Sequence, residues 1–228
     1  MKRGSFLLLL VKKRSPGTGN AALGKTENIP WNRKSRRFRK TPFAPTQGRT
    51  MDMLKHPGMV ELPELLEKLD ALRGEGKKIV FTNGCYDILH PGHVDLLERC
   101  KAQGDVLVLG LNSDESVKRL GKGDDRPVNP YPVRAFVLAH LENVDFVVRF
   151  DEDTPAKLIE AVQPDVLVKG GDWSVDRIVG RETVQRRGGE VISLPLLQGY
   201  STTALIEKIR RTAPAAADFP FSPEAGNV

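Results

Sequence analysis

The sequence predicts an α/β fold, in which a single domain has a Rossmann-like, doubly wound sheet of five parallel strands covered by helices on both faces. The first observation is that short apolar runs alternate with amphipathic helical patterns after residue 60. The second is that the runs at 106–109 and 166–168 are continuously apolar, which is typical of strands buried on both faces. Right-handed crossovers between such strands leave few topologies.

The first half of the domain contains the clearest local signals. A helix is expected over 63–73, and Gly74, which follows it, is a typical helix end. The β-branched run at 78–82 predicts the first strand. Pro91 suits the first turn of a helix over 91–103, in which the apolar residues have helical spacing. A strand at 105–111 follows, and then a short helix from Ser113, a favourable N-cap residue.

The second half continues the alternation. After a loop at 121–130, the pattern predicts a helix at 132–142, a strand at 145–150 and a helix at 154–162. A strand at 165–169, a helix at 174–187, a strand at 190–194 and a last helix at 202–211 complete the domain. In such sheets, ligands bind at the carboxyl ends of the strands, near the point where the strand order reverses. Site residues are therefore expected directly after the strands.

The basic charge of the chain is confined to its first 50 residues. The formal charge is +6, but residues 1–50 hold 13 Lys and Arg against one acid, Glu27, and residues 51–228 hold 22 against 28 Asp and Glu. The folded part is therefore acidic, and nucleic-acid binding by the domain is not expected. We expect a disordered basic extension over 1–55, a folded domain over 56–211 and a disordered tail over 212–228.

Three explanations of the extension stay open. It binds nucleic acid or an acidic surface, it is a transit segment, or it results from a mis-assigned start, since Met51 and Met53 precede the first helix. Its apolar run at 6–11 is too short to span a membrane, so no membrane association is expected. Two cysteines without CxxC spacing or a secretory signal indicate a reducing compartment, and the cytoplasm is expected.

Two histidines lie where the first strand turns into a helix. Residues 82–93 read TNGCYDILHPGH, with His90 and His93 on either side of a Pro-Gly pair. A helix N-terminus carries unpaired N–H groups and about half a positive charge, so it stabilises an anion, and imidazoles add further donors. A zinc site with Cys85 is disfavoured because no second cysteine pair lies nearby, and no protein-held metal is expected. The segment indicates a phosphate site.

Polar clusters also follow the other strands. Asn112 and Asp114 come after the second strand, where helix capping explains them as well as ligand contact does. Lys169 leaves the fourth strand into a Gly-Gly turn, where backbone N–H groups and an ammonium suit an anion. The last helix opens with three hydroxyl residues at its positive end, namely Ser201, Thr202 and Thr203. No GxGxxG follows the first strand and no GxxxxGK[ST] is present, which excludes a dinucleotide fingerprint and a P-loop.

Residues 84–93 resemble the G-x-F-D-x-x-H-x-G-H signature of the HIGH-motif nucleotidylyltransferases, with Tyr86 in place of the usual Phe. Longer strings are similar to the branch of that cytidylyltransferase-like family that adenylylates D-glycero-β-D-manno-heptose 1-phosphate for lipopolysaccharide precursor synthesis. These strings are FTNGCYDILHPGHVDLLERC, GLNSDESVKRL, DRPVNP, LVKGGDW and GYSTTALIEKI. The resemblance covers roughly residues 60–211.

The resemblance implies that AMP is transferred from ATP to the sugar 1-phosphate, without a covalent enzyme intermediate. His90, His93 and Lys169 are then the catalytic residues, which bind the phosphates and stabilise charge in the transition state. The implied nucleotide-binding residues are Asn83, Gly84, Tyr86, Gly92, Gly170, Asp172, Tyr200, Ser201, Thr202 and Thr203. Mg²⁺ is implied as a cofactor held mainly through the nucleotide phosphates.

The sugar-phosphate side is expected to use Asn112, Asp114, Lys122 and Arg126. Arg126 lies in a long polar loop with other basic residues before it, so a basic rim for an anionic acceptor is expected. The loop reads GKGDDRP and departs from the family's usual Lys-Gly-x-x-Arg-Pro arrangement.

Two other functions are weighed against this one. Glycerol-3-phosphate cytidylyltransferases are related, but the Arg-Thr-Glu that precedes their last helix is missing from this chain, which reads LQGYSTT. A non-catalytic nucleotide-binding or nucleic-acid-associated protein could use the same fold, with the basic extension as its arm. An adenylyltransferase would need a separate kinase as a pathway partner that makes heptose 1-phosphate, and similarity to the family favours a homodimer.

Overall fold

The computed structural model describes residues 54–121, 123, 125–171 and 173–212, which form a six-stranded sheet flanked by seven α-helices. The strands are β1 (Met59–Val60), β2 (Ile79–Gly84), β3 (Val106–Asn112), β4 (Phe146–Phe150), β5 (Val166–Gly170) and β6 (Glu190–Leu194). The helices are α1 (Leu62–Gly74), α2 (Pro91–Lys101), α3 (Asp114–Arg119), α4 (Tyr131–Ala139), α5 (Ala156–Val162), α6 (Arg181–Arg186) and α7 (Thr202–Thr212). A 3₁₀ turn at Val175–Arg177 precedes α6.

All strand pairs are parallel, and the order across the sheet is β1-β4-β3-β2-β5-β6. The chain builds the sheet outward from β2 to β4 on one side and then crosses to β5 on the other side. The strand order therefore reverses between β2 and β5, and a crevice opens at their carboxyl ends. The predicted α/β class is confirmed.

The central strands are buried on both faces, as their continuous apolar runs predict. Along β2, Ile79 and Phe81 enter one apolar cluster with residues of α1, α5 and α6, whereas Val80 enters a second cluster with residues of α2 and α4. The same alternation runs along β3. Two helical layers thus fix the strands from both sides, and the polar residues of the site lie beyond the strand ends.

The sheet has six strands where the sequence predicts five. The additional strand, β1, pairs in parallel with β4 at the edge of the sheet, where Met59 lies opposite Val147. A strand of two residues is too short to show a periodic pattern in the sequence. Its position is set by pairing with the edge of β4, which a local pattern does not report.

The helix predicted over 174–187 is wrong as a continuous element. The chain forms the 3₁₀ turn at Val175–Arg177, leaves helical geometry at Ile178, and starts α6 only at Arg181. Gly180 between them has a φ of 88°, in the left-handed region. A Cβ on Gly180 would lie 2.6 Å from Cδ1 of Ile159, so α5 packs directly against this break.

The remaining predicted helices and strands are present, with ends shifted by up to three residues. The expected extension over 1–55 and tail over 212–228 lie outside the described residues except for 54, 55 and 212. Within the ranges given above, none of the helices has the length and apolarity that crossing a bilayer requires.

Candidate active site

The turn from β2 into α2 and the start of α7 form the two sides of a cleft of about 390 Å³, which we name the histidine cleft. Its lining residues are Cys85, Tyr86, Asp87, His90, Gly92, His93, Arg126, Leu196, Leu197, Tyr200, Ser201, Thr202 and Thr203. Eight of the residues that the sequence predicts for the nucleotide and the catalytic step line it together. The cleft lies at the carboxyl end of β2, beside the reversal of strand order.

The two imidazoles stand at the N-terminus of α2. His90 is the N-cap residue with an extended backbone (φ −144°, ψ 166°), Pro91 is the first helical residue, and no side chain caps this end of the helix. The positive end of the helix dipole therefore lies at the cleft. Pro91 has no N–H and the His93 N–H donates to the His90 oxygen at 2.9 Å, so an anion placed here would receive the Gly92 N–H as well as imidazole donors.

Four rings follow one another along the wall of the histidine cleft. The rings of His90 and His93 are stacked, with centroids 3.8 Å apart and planes 16° apart. The ring of Tyr86 lies 5.1 Å from that of His93, and the ring of Tyr200 lies 6.3 Å from that of His90. The imidazoles are thus held between two aromatic rings, which fixes their planes.

His90 is set up to be neutral before a ligand binds. Burial lowers its pKa from 6.5, and a hydrogen bond to its own backbone opposes this shift only partly. Its Nδ1 atom is buried, and no other residue in the described part of the chain hydrogen-bonds to it. The lowered pKa favours the neutral imidazole, which offers one donor and one acceptor, and a bound anion would favour the protonated form.

Gly92 makes room for this arrangement of rings. A Cβ at this position would lie 3.2 Å from the His90 ring and 3.3 Å from Cβ of Tyr200. Both distances are tighter than ordinary contacts, so a larger residue would push the α2 and α7 sides of the cleft apart. The glycine of the HPGH sequence therefore serves the close approach of the two helix starts.

The hydroxyl residues at the start of α7 have different roles in the structure. Ser201 Oγ accepts a hydrogen bond from the Ala204 N–H at 3.0 Å and so caps the helix. Thr202 Oγ1 donates to the backbone oxygen of Ile88 at 3.3 Å, which ties α7 to the segment that carries the histidines. Thr203 is exposed at the cleft surface.

Arg126 is buried and is held by a carboxylate. It is 6% exposed, and its Nε atom donates to Asp87, which lies within the motif region of the β2–α2 turn. Asp87 also accepts hydrogen bonds from the backbone N–H groups of Val128 and Asn129, at 3.0 and 2.8 Å. The expected exposed basic rim is therefore absent at Arg126, whose side chain instead lines the histidine cleft as part of a fixed ion pair.

Arg134 of α4 is a residue that the sequence analysis missed. Its side chain is buried, and Nη1 donates to the backbone oxygen of Cys85 at 2.6 Å. Nη2 donates to the backbone oxygen of Asn112 at 2.9 Å and to Asp114 at 2.7 Å, and Nε donates to the backbone oxygen of Asn129 at 2.9 Å. One guanidinium thus joins the ends of β2 and β3, the start of α3 and the loop that carries Arg126.

A second cleft of about 430 Å³, which we name the strand-end cleft, lies beside the first and shares Cys85 with it. Its lining residues are Asn83, Gly84, Cys85, Asn112, Leu120, Phe150, Asp153, Thr154, Pro155, Leu167, Lys169, Trp173, Arg177, Ile178 and Val179. Half-buried Lys169 reaches across it, with its Nζ atom 3.3 Å from Oδ1 of Asn83. A cation therefore lies between the ends of β2 and β5.

The predicted residues are divided between the two clefts. The histidine cleft contains Tyr86, Gly92, Tyr200 and the two histidines, and the strand-end cleft contains Asn83, Gly84, Asn112 and Lys169. Asp114 points to Arg134, and Gly170 packs against Leu96, where a Cβ would lie 2.5 Å from Cδ2. Asn112 is buried and donates to Ser116 Oγ at 2.9 Å. Lys122 and Asp172 lie outside the described residues.

The described residues contain no group of three or more His, Cys, Asp or Glu side chains that could hold a metal ion. The carboxylate that lines the histidine cleft, Asp87, is already neutralised by Arg126. The local donor set therefore suits an ion whose ligands come largely from a bound substrate.

A family model described as cytidylyltransferase-like matches residues 81–208, from β2 into α7. A bifunctional protein HldE from Ectopseudomonas mendocina is 55% identical over 153 residues, which make up 67% of this chain and 32% of that protein. Proteins with the same name are 54% identical over 154 residues in Pseudomonas aeruginosa (68% and 32%) and 56% identical over 145 residues in Nitrobacter hamburgensis (64% and 29%). The chain spans about a third of the length of these relatives.

Two solved structures are similar at lower levels. The lipopolysaccharide core biosynthesis protein from Thermoplasma volcanium is 27% identical with a TM-score of 0.46, over 55% of this chain and all of that one. The pantoate-beta-alanine ligase from Francisella tularensis is 14% identical with a TM-score of 0.43, over 67% of this chain and 77% of that one.

Proposed function

The chain belongs to the cytidylyltransferase-like family of nucleotidyltransferases, and we propose that it transfers AMP from ATP to D-glycero-β-D-manno-heptose 1-phosphate. The products are ADP-heptose, a lipopolysaccharide core precursor, and pyrophosphate. The observation that carries the proposal is the meeting of two stacked imidazoles and the hydroxyl-rich start of α7 in one cleft, beside the reversal of strand order. Identity of 55% to a relative named for a heptose enzyme supports the choice of sugar.

In the proposed reaction, an oxygen of the acceptor phosphate attacks the α-phosphorus of ATP. The bond from that phosphorus to the oxygen bridging the β-phosphate breaks, and pyrophosphate leaves with the electron pair. The attacking oxygen is already ionised at neutral pH, so no base has to remove a proton. Catalysis then consists of holding two anions in line and stabilising the charge of the transition state.

We assign the triphosphate to the histidine cleft. The N-terminus of α2 and the imidazoles of His90 and His93 face the α- and β-phosphates, where they stabilise the charge that develops as the bridging bond breaks. The start of α7 holds the outer phosphates, with Thr203 as the exposed hydroxyl and Ser201 as the cap. The buried Arg126 lines the same wall, where its ion pair with Asp87 keeps that carboxylate from repelling the phosphates.

We assign the acceptor to the strand-end cleft. The two clefts meet at Cys85, so ligands bound in both would bring an acceptor phosphate next to the α-phosphate. Lys169 lies at the inner part of the strand-end cleft beside Asn83, where its ammonium neutralises the two approaching phosphates. Asp153 and Thr154, which are exposed, offer polar groups to sugar hydroxyls, whereas Asn112 is buried and donates to Ser116.

Mg²⁺ is proposed as the cofactor, and the donor set of the site fits such an ion only through substrate oxygens. When bound, it would neutralise phosphate charge and assist the departure of pyrophosphate. The acceptor itself must come from a reaction that phosphorylates a sugar at its anomeric position. We propose a heptose kinase as the enzyme that supplies it.

A panel of substrates tests the proposal with product mass as the measurement. The enzyme is incubated with Mg²⁺, with either ATP or CTP, and with heptose 1-phosphate, other sugar 1-phosphates or glycerol 3-phosphate. ADP-heptose should form from ATP, and reactions without an acceptor should form no nucleotide sugar. A CDP-linked product from CTP and glycerol 3-phosphate alone would reject the proposal in favour of the cytidylyltransferase alternative.

The non-catalytic alternative makes a different prediction. A nucleic-acid-associated protein would bind RNA or DNA strongly at low salt, would lose this binding when residues 1–50 are deleted, and would show no turnover with any pair of substrates. The acidic balance of residues 51–228 argues against this alternative for the domain.

A further inference from the structure

The segment 173–180 forms one wall of the strand-end cleft, and most of it lies where the sequence predicts the start of a continuous helix over 174–187. Trp173, Arg177, Ile178 and Val179 all line the cleft. Ile178 is buried, whereas Trp173, Arg177 and Val179 are exposed. The break at Gly180, which packs against Ile159, ends this wall before α6 begins.

Trp173 is an aromatic side chain presented to this cleft from a fixed backbone. Trp173 is 50% exposed, although most of the large apolar residues in the described part of the chain are buried. The Trp173 N–H donates to Ser193 Oγ at 3.2 Å, and Ser193 Oγ donates to the Gly171 oxygen at 2.6 Å. The Gly171 N–H in turn donates to the Leu194 oxygen at 2.8 Å, so the turn is fastened to β6 on both sides of position 172.

The indole itself lies close to the backbone that carries it. A Cβ on Gly171 would lie 2.9 Å from Nε1 of Trp173, so the ring folds back over the glycine. Gly171 has a φ of 118°, which disfavours any side chain at that position. The pyrrole edge of the ring is therefore held against the glycine, while half of the residue stays exposed and available to contact a ligand.

We propose that Trp173 determines acceptor specificity by packing its indole face against the carbohydrate ring of the acceptor. This inference rests on the proposed assignment of the acceptor to the strand-end cleft. A pyranose presents an apolar face of C–H groups, which an exposed indole covers, while its hydroxyls point to the exposed polar residues Asp153 and Thr154 on the cleft wall. A short acyclic polyol phosphate has no such face, so it gains little from the indole.

The adenine base is the competing partner for this ring. The histidine cleft has exposed apolar side chains of its own, at Leu196, Leu197 and Tyr200, which are placed to cover a base whose phosphates lie beside His90. Trp173 does not line that cleft. The separation of the two sets of side chains favours the sugar for Trp173 and the nucleotide for Tyr200.

The chain's tryptophan content makes a direct binding test possible. The two tryptophans are Trp31 and Trp173, so the full-length Trp31→Phe protein reports emission from Trp173 alone. Titration with heptose 1-phosphate should change this emission saturably, whereas ATP alone should leave it unchanged and glycerol 3-phosphate should act only at much higher concentration. An unchanged emission with the sugar phosphate, or a saturable change with ATP alone, would overturn the inference.

Kinetics on the same background test specificity. On the Trp31→Phe background, Trp173→Ala should raise KM for the sugar phosphate about tenfold, while KM for ATP and kcat should change by less than about twofold. Trp173→Phe on the same background should keep most of the affinity, because an aromatic ring is retained. Ile209→Ala, at an exposed apolar position of α7 that lines neither cleft, is the matched control and should change nothing. Equal increases in KM for ATP and acceptor would reject a role in acceptor choice.

Failure of this inference can be told from failure of the proposed function. The fluorescence titration reads binding without turnover, so it gives its answer even if the substrate panel finds no ADP-sugar. If the panel identifies a different acceptor, that compound replaces heptose 1-phosphate in both experiments. Turnover of a sugar phosphate that leaves Trp173 emission and the Trp173→Ala KM unchanged would reject the inference and leave the proposed function in place.

Discussion

The two clefts are nearly equal in volume, at about 390 and 430 Å³, but their walls are built in different ways. The histidine cleft takes most of its polar groups from two short stretches of chain, each at the start of a helix. The strand-end cleft takes groups of one to three residues from many places: the ends of β2, β3, β4 and β5, the loop after β4, Leu120 after α3, and segment 173–180.

This difference separates two tasks of a transferase. Phosphates need several donors in fixed positions, and a helix start supplies them from adjacent residues. An acceptor is distinguished by its shape and hydroxyl pattern, which scattered side chains supply. Substitutions in the strand-end cleft should therefore alter the choice of acceptor while the phosphate-binding groups remain in place.

Arg134 offers the strongest test of this separation, because it donates to backbone beside both clefts. Arg134→Met removes the donors of four acceptor atoms and leaves Asp114 without its buried partner, and the free energy of unfolding should fall by about 3–5 kcal/mol. Binding of both ATP and the acceptor should weaken, since Cys85 lies where the clefts meet. Urea unfolding and calorimetric titration measure the two effects.

Arg149→Met is the matched control for Arg134. Its side chain is 44% exposed and forms ion pairs with Glu115 and Asp151 at the surface. Its loss should cost less than about 1 kcal/mol, because solvent screens such pairs. If the two substitutions lower stability equally, Arg134 does not join the clefts as described.

The histidines sharpen the comparison, since they belong to one cleft alone. His90→Ala and His93→Ala should each lower kcat by about a hundredfold or more, because each removes a donor to the charge that develops on the phosphates. Acceptor binding, read from the emission of Trp173, should remain close to that of the parent protein. Pyrophosphate release gives the rate.

His140→Ala controls for the loss of an imidazole elsewhere. His140 caps the C-terminal end of α4 and contacts His56 and Phe136, and it lines neither cleft. The turnover rate of the His140→Ala variant should equal that of the parent protein. Near-normal rates in both the His90 and His93 variants would remove the basis for the proposed function.

The histidine cleft could be predicted from the sequence to a greater extent than the strand-end cleft. The HPGH and Ser-Thr-Thr segments are contiguous, and each announces a helix start, so local pattern alone indicated an anion site at both. The α/β class followed from buried apolar runs such as that of β3. These features are local, and local features are what a sequence pattern reports.

The strand-end cleft depends on contacts between distant residues. Trp173 became a candidate only because the folded chain brings it to the same cleft as residues at the end of β3 and after β4, and no periodic pattern reports that proximity. Arg134 looked like an ordinary charged residue of α4, since its acceptors are three backbone oxygens and the Asp114 carboxylate on other segments. Arg126 was expected at a basic rim for the acceptor, and its ion pair with Asp87, 39 residues away in sequence, leaves no local pattern.

The smallest expected effect is the titration of His90, which tests whether the histidine cleft is prepared for an anion. Burial lowers the pKa of His90 below 6.5, so between that lowered value and 6.5 the unfolded chain binds more protons than the folded one. The free energy of unfolding should therefore be unaffected by this group above pH 6.5 and should decrease as the pH drops from 6.5 toward the pKa of His90 in the folded protein. Ring-proton NMR, with the His90 signal assigned by its absence from His90→Ala, should give this value directly.

Bound nucleotide should reverse the shift. A triphosphate beside the ring stabilises its protonated form, so a non-hydrolysable ATP analogue with Mg²⁺ should raise the pKa of His90, and the complex should take up protons near that pKa. The acceptor alone, bound in the strand-end cleft, should move the His90 titration much less. A His90 pKa that responds equally to both ligands would mean that the clefts do not divide the phosphates as proposed, because His90 would then lie equally close to the charge of each.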